Sequence, residues 1–263
     1  MNPSSITVSR AGAVATVTLA RPGVRNAFDA ATIAALHAAF IELGAQAQVR
    51  VIVLAAEGPA FCAGADLNWM RAMAGYSEAE NREDAMQLAR MLRAVAECPK
   101  PVIARVQGDA FGGGVGLVAA CDLAAAAAPA RFCLSEVKLG LIPATIAPYV
   151  LRAMGARAAQ RYTLTAEVFS AATAQQHGLV HEVAADAAQL DAQVQQWCAA
   201  LQAASPQALA AAKRLLADVA ARHVNEALLA DTAERIAQAR ASDDGREGIA
   251  AFLQRRKPSW ANT

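Results

Sequence analysis

The sequence is poor in aromatic residues, poor in charge and without any paired-cysteine motif. Phe, Trp and Tyr make up 5% of its 263 residues, and Asp, Glu, Lys and Arg 18%. Cys62, Cys98, Cys121, Cys133 and Cys198 are odd in number and form no CxxC pair, which excludes a disulfide framework and a zinc site of that type. His37, His177, His181 and His223 lack the spacing of metal ligands, and Gly178-Leu179-Val180 reads as a helix end turning into a strand. With 24 Lys+Arg against 23 Asp+Glu the formal charge is +1, so no global field gathers nucleic acid, and no Lys/Arg run is interleaved with aromatics. The richest apolar run, Leu117 to Ala130, is broken by Asp122 and Pro129 and falls short of the roughly 20 residues a spanning helix needs. No membrane partner is predicted. The opening MNPSSITVSR lacks the basic start and apolar core of a secretion signal, which predicts a cytoplasmic chain.

What the chain does have is a hydrophobic fraction of 56%, much of it alanine, enough to bury a sizeable core. Period-2 alternation in Ile6–Arg10 and Val14–Leu19 around Ala11-Gly12 predicts a hairpin. A helix from about Ala30 to Leu43, capped by Asp29, leads to the continuous apolar strand Val51–Ala55. Glu57 to Asp66 reads as a loop, Glu78 to Ala96 as a helix, and Pro101–Val106 as a second buried strand. After Met154 strand signals nearly vanish, and 156–162, 188–203, 206–221 and 225–239 all read as helices. The pattern predicts an α/β core with ligand-binding loops at strand C-termini, followed by a helical extension.

Two such loops hold the candidate chemistry. Phe111-Gly112-Gly113-Gly114 follows a strand and opens a helix, so its backbone N–H groups can face an anion or oxyanion unobstructed by a Cβ. It is not a nucleotide fingerprint, because Leu117 stands where the third glycine of GxGxxG belongs. Phe61-Cys62-Ala63-Gly64-Ala65-Asp66-Leu67 occupies the same position after its own strand.

Paired with RNAF upstream and PVIARVQGDAFGGGVGLVAACD downstream, AFCAGADL resembles the crotonase, or enoyl-CoA hydratase/isomerase, superfamily. The resemblance continues through ARFCLSEVKLGLIPA and QQHGLV to GREGIAAFLQRRKP. It implies an α/β spiral of ββα units over residues 1–200, a C-terminal helical oligomerisation region over 201–263, and a homotrimer or homohexamer. It implies an acyl-CoA thioester as substrate and no cofactor beyond the coenzyme A which that substrate carries.

The resemblance also assigns roles. The N–H groups of Ala65 and Gly113, with Gly112 beside them, would form an oxyanion hole for the thioester oxygen. Glu136, in an apolar stretch, would be the acid/base. Backbone around Arg25 and Ala63, with Asp66 and Leu67, would hold the CoA portion, and Lys257, with Arg256, would reach a CoA phosphate. Trp69, with Met70, would line the acyl pocket, and the Ala144 N–H would bind a water or an acyl oxygen.

Two departures bear on the reaction. Gly116 stands where family hydratases carry their first catalytic glutamate, and Ala144-Thr145-Ile146-Ala147-Pro148 replaces a glycine-rich stretch. In both respects the chain looks most like bacterial methylglutaconyl-CoA hydratases. The expected activity is therefore hydration of a branched, carboxylated 2-enoyl-CoA, with Arg71 and Lys138 as cationic partners between which the sequence does not choose. A Δ3,Δ2-enoyl-CoA isomerase using Glu136 alone is the second reading. A resemblance of this branch to an RNA-binding protein gives a third, against which the balanced charge speaks.

Overall fold

Alternating side chains and a left-handed Gly12 at φ +58° close the first hairpin, β1 (Ile6–Ala11) and β2 (Val14–Leu19), with Ile6 opposite Leu19. The computed structural model describes residues 5–262, so the first four residues of the N-terminal reading lie outside the described part. Asp29 caps α1 (Ala30–Ala45) through the Thr32 N–H, and the chain returns as β3 (Val51–Ala56), buried along its whole length. Then follow β4 (Ala60–Cys62), α2 (Leu67–Met73) and α3 (Glu78–Ala96), the last opened by a Ser77/Glu80 capping box.

The next two passes repeat the pattern. They run β5 (Val102–Val106), β6 (Asp109–Phe111), α4 (Gly113–Ala120), then β7 (Leu123–Ala127), β8 (Arg131–Cys133) and α5 (Ala147–Thr165), which kinks at Gly155. After β9 (Phe169–Ser170), α6 (Ala171–Gln176) and β10 (Glu182–Ala184) come four helices: α7 (Ala187–Ala203), α8 (Pro206–Val219), α9 (Glu226–Ala241) and α10 (Asp243–Leu253).

From β3 to β8, successive strands alternate between two sheets. One has the order β1-β2-β3-β5-β7-β10 and the other β4-β6-β8-β9, so each turn of the chain adds one parallel strand to both. This is the spiral of ββα units that the sequence led us to expect. One face of the larger sheet packs the main core with α1, α3, α4 and α5. On the other face, Leu190, Val194 and Cys198 of α7 pack against Val51, Val53, Ile103, Ala125 and Ala127. Helix α7 thus packs with the core, and residue 200 lies within it, three residues before its end at Ala203.

The helical extension is anchored at the N-terminal end of the sheet. Lys213 of α8 donates to Asp122 at 2.7 Å and to the Lys100 carbonyl, and Arg50, just before β3, donates to the carbonyls of Gln202, Ala204 and Trp260. Otherwise the extension stands off the core: α8 buries no residue, α9 only Leu228 and α10 only Ala251. Among the described residues no helix is long and apolar enough to cross a membrane, and no cluster of His, Cys, Asp or Glu could hold a metal ion.

Candidate active site

The C-terminal ends of β4 and β6, in the smaller sheet, carry the two glycine loops, and they touch. A Cβ built on Gly64 would lie 3.1 Å from the Phe111 carbonyl oxygen and 3.9 Å from the Gly112 Cα. Gly64 and Gly112 have φ of +92° and +50°, conformations that exclude ordinary side chains, so two strand ends can meet without intervening atoms.

Ala65 and Gly113 each follow one of these touching glycines. Ala65 forms an isolated parallel bridge with Phe28, in which the Phe28 N–H donates to the Gly64 carbonyl and the Asp66 N–H to the Phe28 carbonyl, both at 2.7 Å. In a parallel pair the bridged residue's own N–H points away from its partner, so the Ala65 N–H is directed off that strand. Gly113 is the first residue of α4, where no carbonyl within the helix can take its N–H. Among the described residues neither amide donates to another protein group.

Glu136 sits over this junction. It opens a 3-10 turn, Glu136–Leu139, after β8, and its Oε1 lies 3.2 Å from where a Gly112 Cβ would be. Its Oε2 is buried without a hydrogen-bond partner. Burial raises its pKa above the ordinary carboxylate value, and a bond from its own backbone N–H offsets this only in part. The site thus unites two unspent backbone donors and one carboxyl with an unspent oxygen, the equipment for moving a proton beside a developing oxyanion.

Position 116 is closed to a second carboxylate. A Cβ on buried Gly116 would fall 2.2 Å from the Cγ2 and 2.7 Å from the Cβ of Ile146, which is itself buried just before α5. The two sequence departures are therefore one packing solution. Behind Ile146 lies an apolar cavity of about 280 Å³ lined by Leu134, Pro143, Val150 and Leu151.

Several residues expected at the site are committed elsewhere. The Ala144 N–H donates to the Ile142 carbonyl at 2.9 Å, closing a tight turn, and is not free for a water or acyl oxygen. The Ala63 N–H donates to the Arg25 carbonyl at 3.0 Å, which leaves the Ala63 carbonyl and the exposed Arg25 side chain as the groups available there. Asp66 is buried, caps α2 through the Asn68 N–H and accepts from Arg21 at 2.9 Å, so its carboxylate secures the loop. Burial works to raise its pKa, but the Asn68 N–H and the Arg21 guanidinium outweigh that and hold it below the usual value.

Leu67 is exposed at the start of α2, and Trp69 is fixed against α3 by its Nε1–H donating to Asp84 at 3.0 Å, with its ring packed on the main core. Lys138 donates to the Ala166 carbonyl and Arg71 to the Asn68 side-chain oxygen, neutral acceptors that leave both exposed cations without an ion pair among the described residues. Arg256 is paired with Glu247 through both nitrogens, and exposed Lys257 follows it on the tail whose Trp260 meets Ala203 and Arg50.

Sequence reasoning missed Arg21 and Ile146. Arg21 is a lone basic residue after β2 with no acidic neighbour in sequence to mark it. Ile146 is an aliphatic residue whose partner, Gly116, is thirty positions away.

Comparisons with known proteins agree with this geometry. The family model described as "Enoyl-CoA hydratase/isomerase" matches residues 9–263. The chain is 35% identical over 259 residues to the 2,3-dehydroadipyl-CoA hydratase of Escherichia coli (strain K12), covering 98% of both. It is 38% identical over 199 residues to "Enoyl-CoA hydratase ACTT6" of Alternaria alternata, a match spanning 76% of this chain and 65% of that protein. A crystal structure of an enoyl-CoA hydratase from Shewanella pealeana superposes with a TM-score of 0.94 at 43% identity, over 97% of this chain and 96% of that one.

Proposed function

The chain belongs to the enoyl-CoA hydratase/isomerase family, and from its site we propose that it adds water to a branched 2-enoyl-CoA thioester with Glu136 as the acid/base. The observation that carries this reading is the unpartnered Glu136 Oε2 above the contact of the two glycine loops. The Glu136 carboxylate takes a proton from water while the oxygen adds to Cβ of the enoyl group. The alkene electron pair moves onto the thioester oxygen, where the Ala65 and Gly113 N–H groups stabilise the enolate. Glu136 then returns the proton to Cα, so the product is the substrate plus one water. Each preorganised donor contributes on the order of 10²-fold in rate.

The branched acyl group follows from the resemblance to methylglutaconyl-CoA hydratases, and methylglutaconyl-CoA is the first substrate to test. Arg71 and Lys138, neither in an ion pair among the described residues, remain the two cationic candidates for an acyl carboxylate. Ile146 against Gly116 favours the second reading, a double-bond shift in which Glu136 takes a proton from Cα of a 3-enoyl thioester and returns it to Cγ. The exposed Leu216, Val224, Phe252 and Leu253 of the helical extension support assembly as a homotrimer or homohexamer.

A panel of methylglutaconyl-, 3-methylcrotonyl-, crotonyl- and 3-hexenoyl-CoA decides between the readings. Hydration gives a mass gain of one water on a branched substrate with loss of conjugated absorbance. The isomerase reading gives a rise in conjugated absorbance from 3-hexenoyl-CoA at constant mass. Turnover of none of the panel would overturn both.

A further inference from the structure

We infer that Phe28 is a positioning residue that sets the spacing between the two oxyanion donors. The inference rests on the reading of Ala65 and Gly113 given above. Phe28 touches both donors, each through a different part of itself. Its backbone brackets Ala65, donating to the Gly64 carbonyl and accepting from the Asp66 N–H at 2.7 Å each. Its ring lies under Gly113: a Cβ built there would be 2.8 Å from Cε2 and 3.0 Å from Cδ2 of Phe28. Ala65 and Gly113 lie on different strands' loops, and the flat ring is a rigid spacer between them.

The spacer is itself immobilised. Phe28 is 1% exposed, and Arg21 clamps the backbone on both sides of it. One Arg21 nitrogen donates to the Ala27 carbonyl at 2.7 Å and meets Asp29 at 3.0 Å, and the other meets Asp66 at 2.9 Å. Asn26 completes the clamp, its Oδ1 accepting from the Arg21 N–H while its amide donates to the carbonyls of Glu57 and Ala60. A merely space-filling core residue needs none of this. An oxyanion hole does, because its donors must sit about 2.7–3.1 Å from the developing charge, and misplacement by about 1 Å can cost 10²-fold.

The test is a size-swap cycle of Phe28→Leu, Gly113→Ala and the double variant, each first shown to be folded by circular dichroism. Gly113 begins α4 without a positive φ, so alanine is allowed by its backbone and its methyl acts on the ring alone. Gly113→Ala should lower kcat about tenfold or more by driving the ring aside. Phe28→Leu, which ends short of Cε2, should lower kcat about tenfold while KM and the acid limb of the pH profile stay in place. The double variant should exceed Gly113→Ala by at least about threefold, because leucine leaves room for the methyl.

A folded Phe28→Leu with kcat within about twofold of wild type, or a double variant at or below Gly113→Ala, would overturn the role of Phe28. Normal turnover in folded Gly113→Ala and Gly113→Val would instead overturn the oxyanion reading itself. Should Phe28→Leu fail to fold, Phe28→Met, whose unbranched flexible side chain adapts to irregular core space, is read by the same criteria.

Discussion

The two ends of α4 each carry a half-buried carboxylate, and they are finished differently. At the N-terminal end Glu136 leaves one oxygen without a partner. Just past the C-terminal end, Asp122 accepts from the Val102 N–H at 2.8 Å and from Lys213 at 2.7 Å. Burial raises both pKa values, and at Asp122 the Lys213 charge offsets it only in part. Burial alone therefore does not mark a reactive carboxyl. The distinguishing feature is a lone pair kept unspent beside donors that are also unspent.

The sharpest way to break that contrast is Glu136→Gln, which keeps the shape and removes proton exchange. It should lower kcat by about 10²–10⁴ with CoA binding retained, as read by steady-state kinetics and a product-binding titration. Turnover within about threefold of wild type would end the assignment.

Asp122→Asn should do the reverse. Turnover stays within about threefold while unfolding free energy at neutral pH changes by less than about 1 kcal/mol, because the lost Lys213 ion pair is set against relief of a carboxylate whose charge burial disfavours. Urea unfolding measures this, and a stable but inactive Asp122→Asn protein would erase the distinction between the two ends.

The pH dependence follows from the same pair. A carboxyl whose folded pKa lies above its unfolded value binds protons more readily in the native state. Stability is thus greatest below the unfolded pKa and is lost as pH rises through the folded one. Glu136 and Asp122 both act in this sense, and Glu136→Gln should flatten the loss and slightly raise Tm near neutrality. In kinetics, the acid limb of kcat should lie above the ordinary carboxylate range in wild type and disappear in Glu136→Gln.

How much of this was legible in the sequence depended on whether its cause was local. The hairpin, the Asp29 cap, the apolar strand at Val51 and the glycine loops all follow from patterns within a few residues. Strand β7 did not, because Leu123–Ala127 is nearly all alanine, a helix former, and becomes a strand only by pairing with β5 and β10. Strands β4, β6 and β8 span three residues each and were hidden within loop-like segments. At the site, Glu136 was singled out by the family resemblance, since a carboxyl in an apolar stretch alone reads equally as a capping or surface residue. The capture of Asp66 by Arg21 and the turn that occupies the Ala144 N–H are tertiary facts with no local signature.

Cys62 gives the core a property unrelated to enolate chemistry. Its thiol ends β4 beneath the second glycine loop, and burial pushes its pKa up to about 12 against a partly offsetting bond from the Gly64 N–H. The other four thiols are also held above their usual value by burial. At neutral pH Cys62 is held as the thiol, and none of its surface is open to a reagent. Iodoacetamide therefore does not reach Cys62 in the native molecule, and the rate at which Cys62 is alkylated becomes a clock for how often the protein opens.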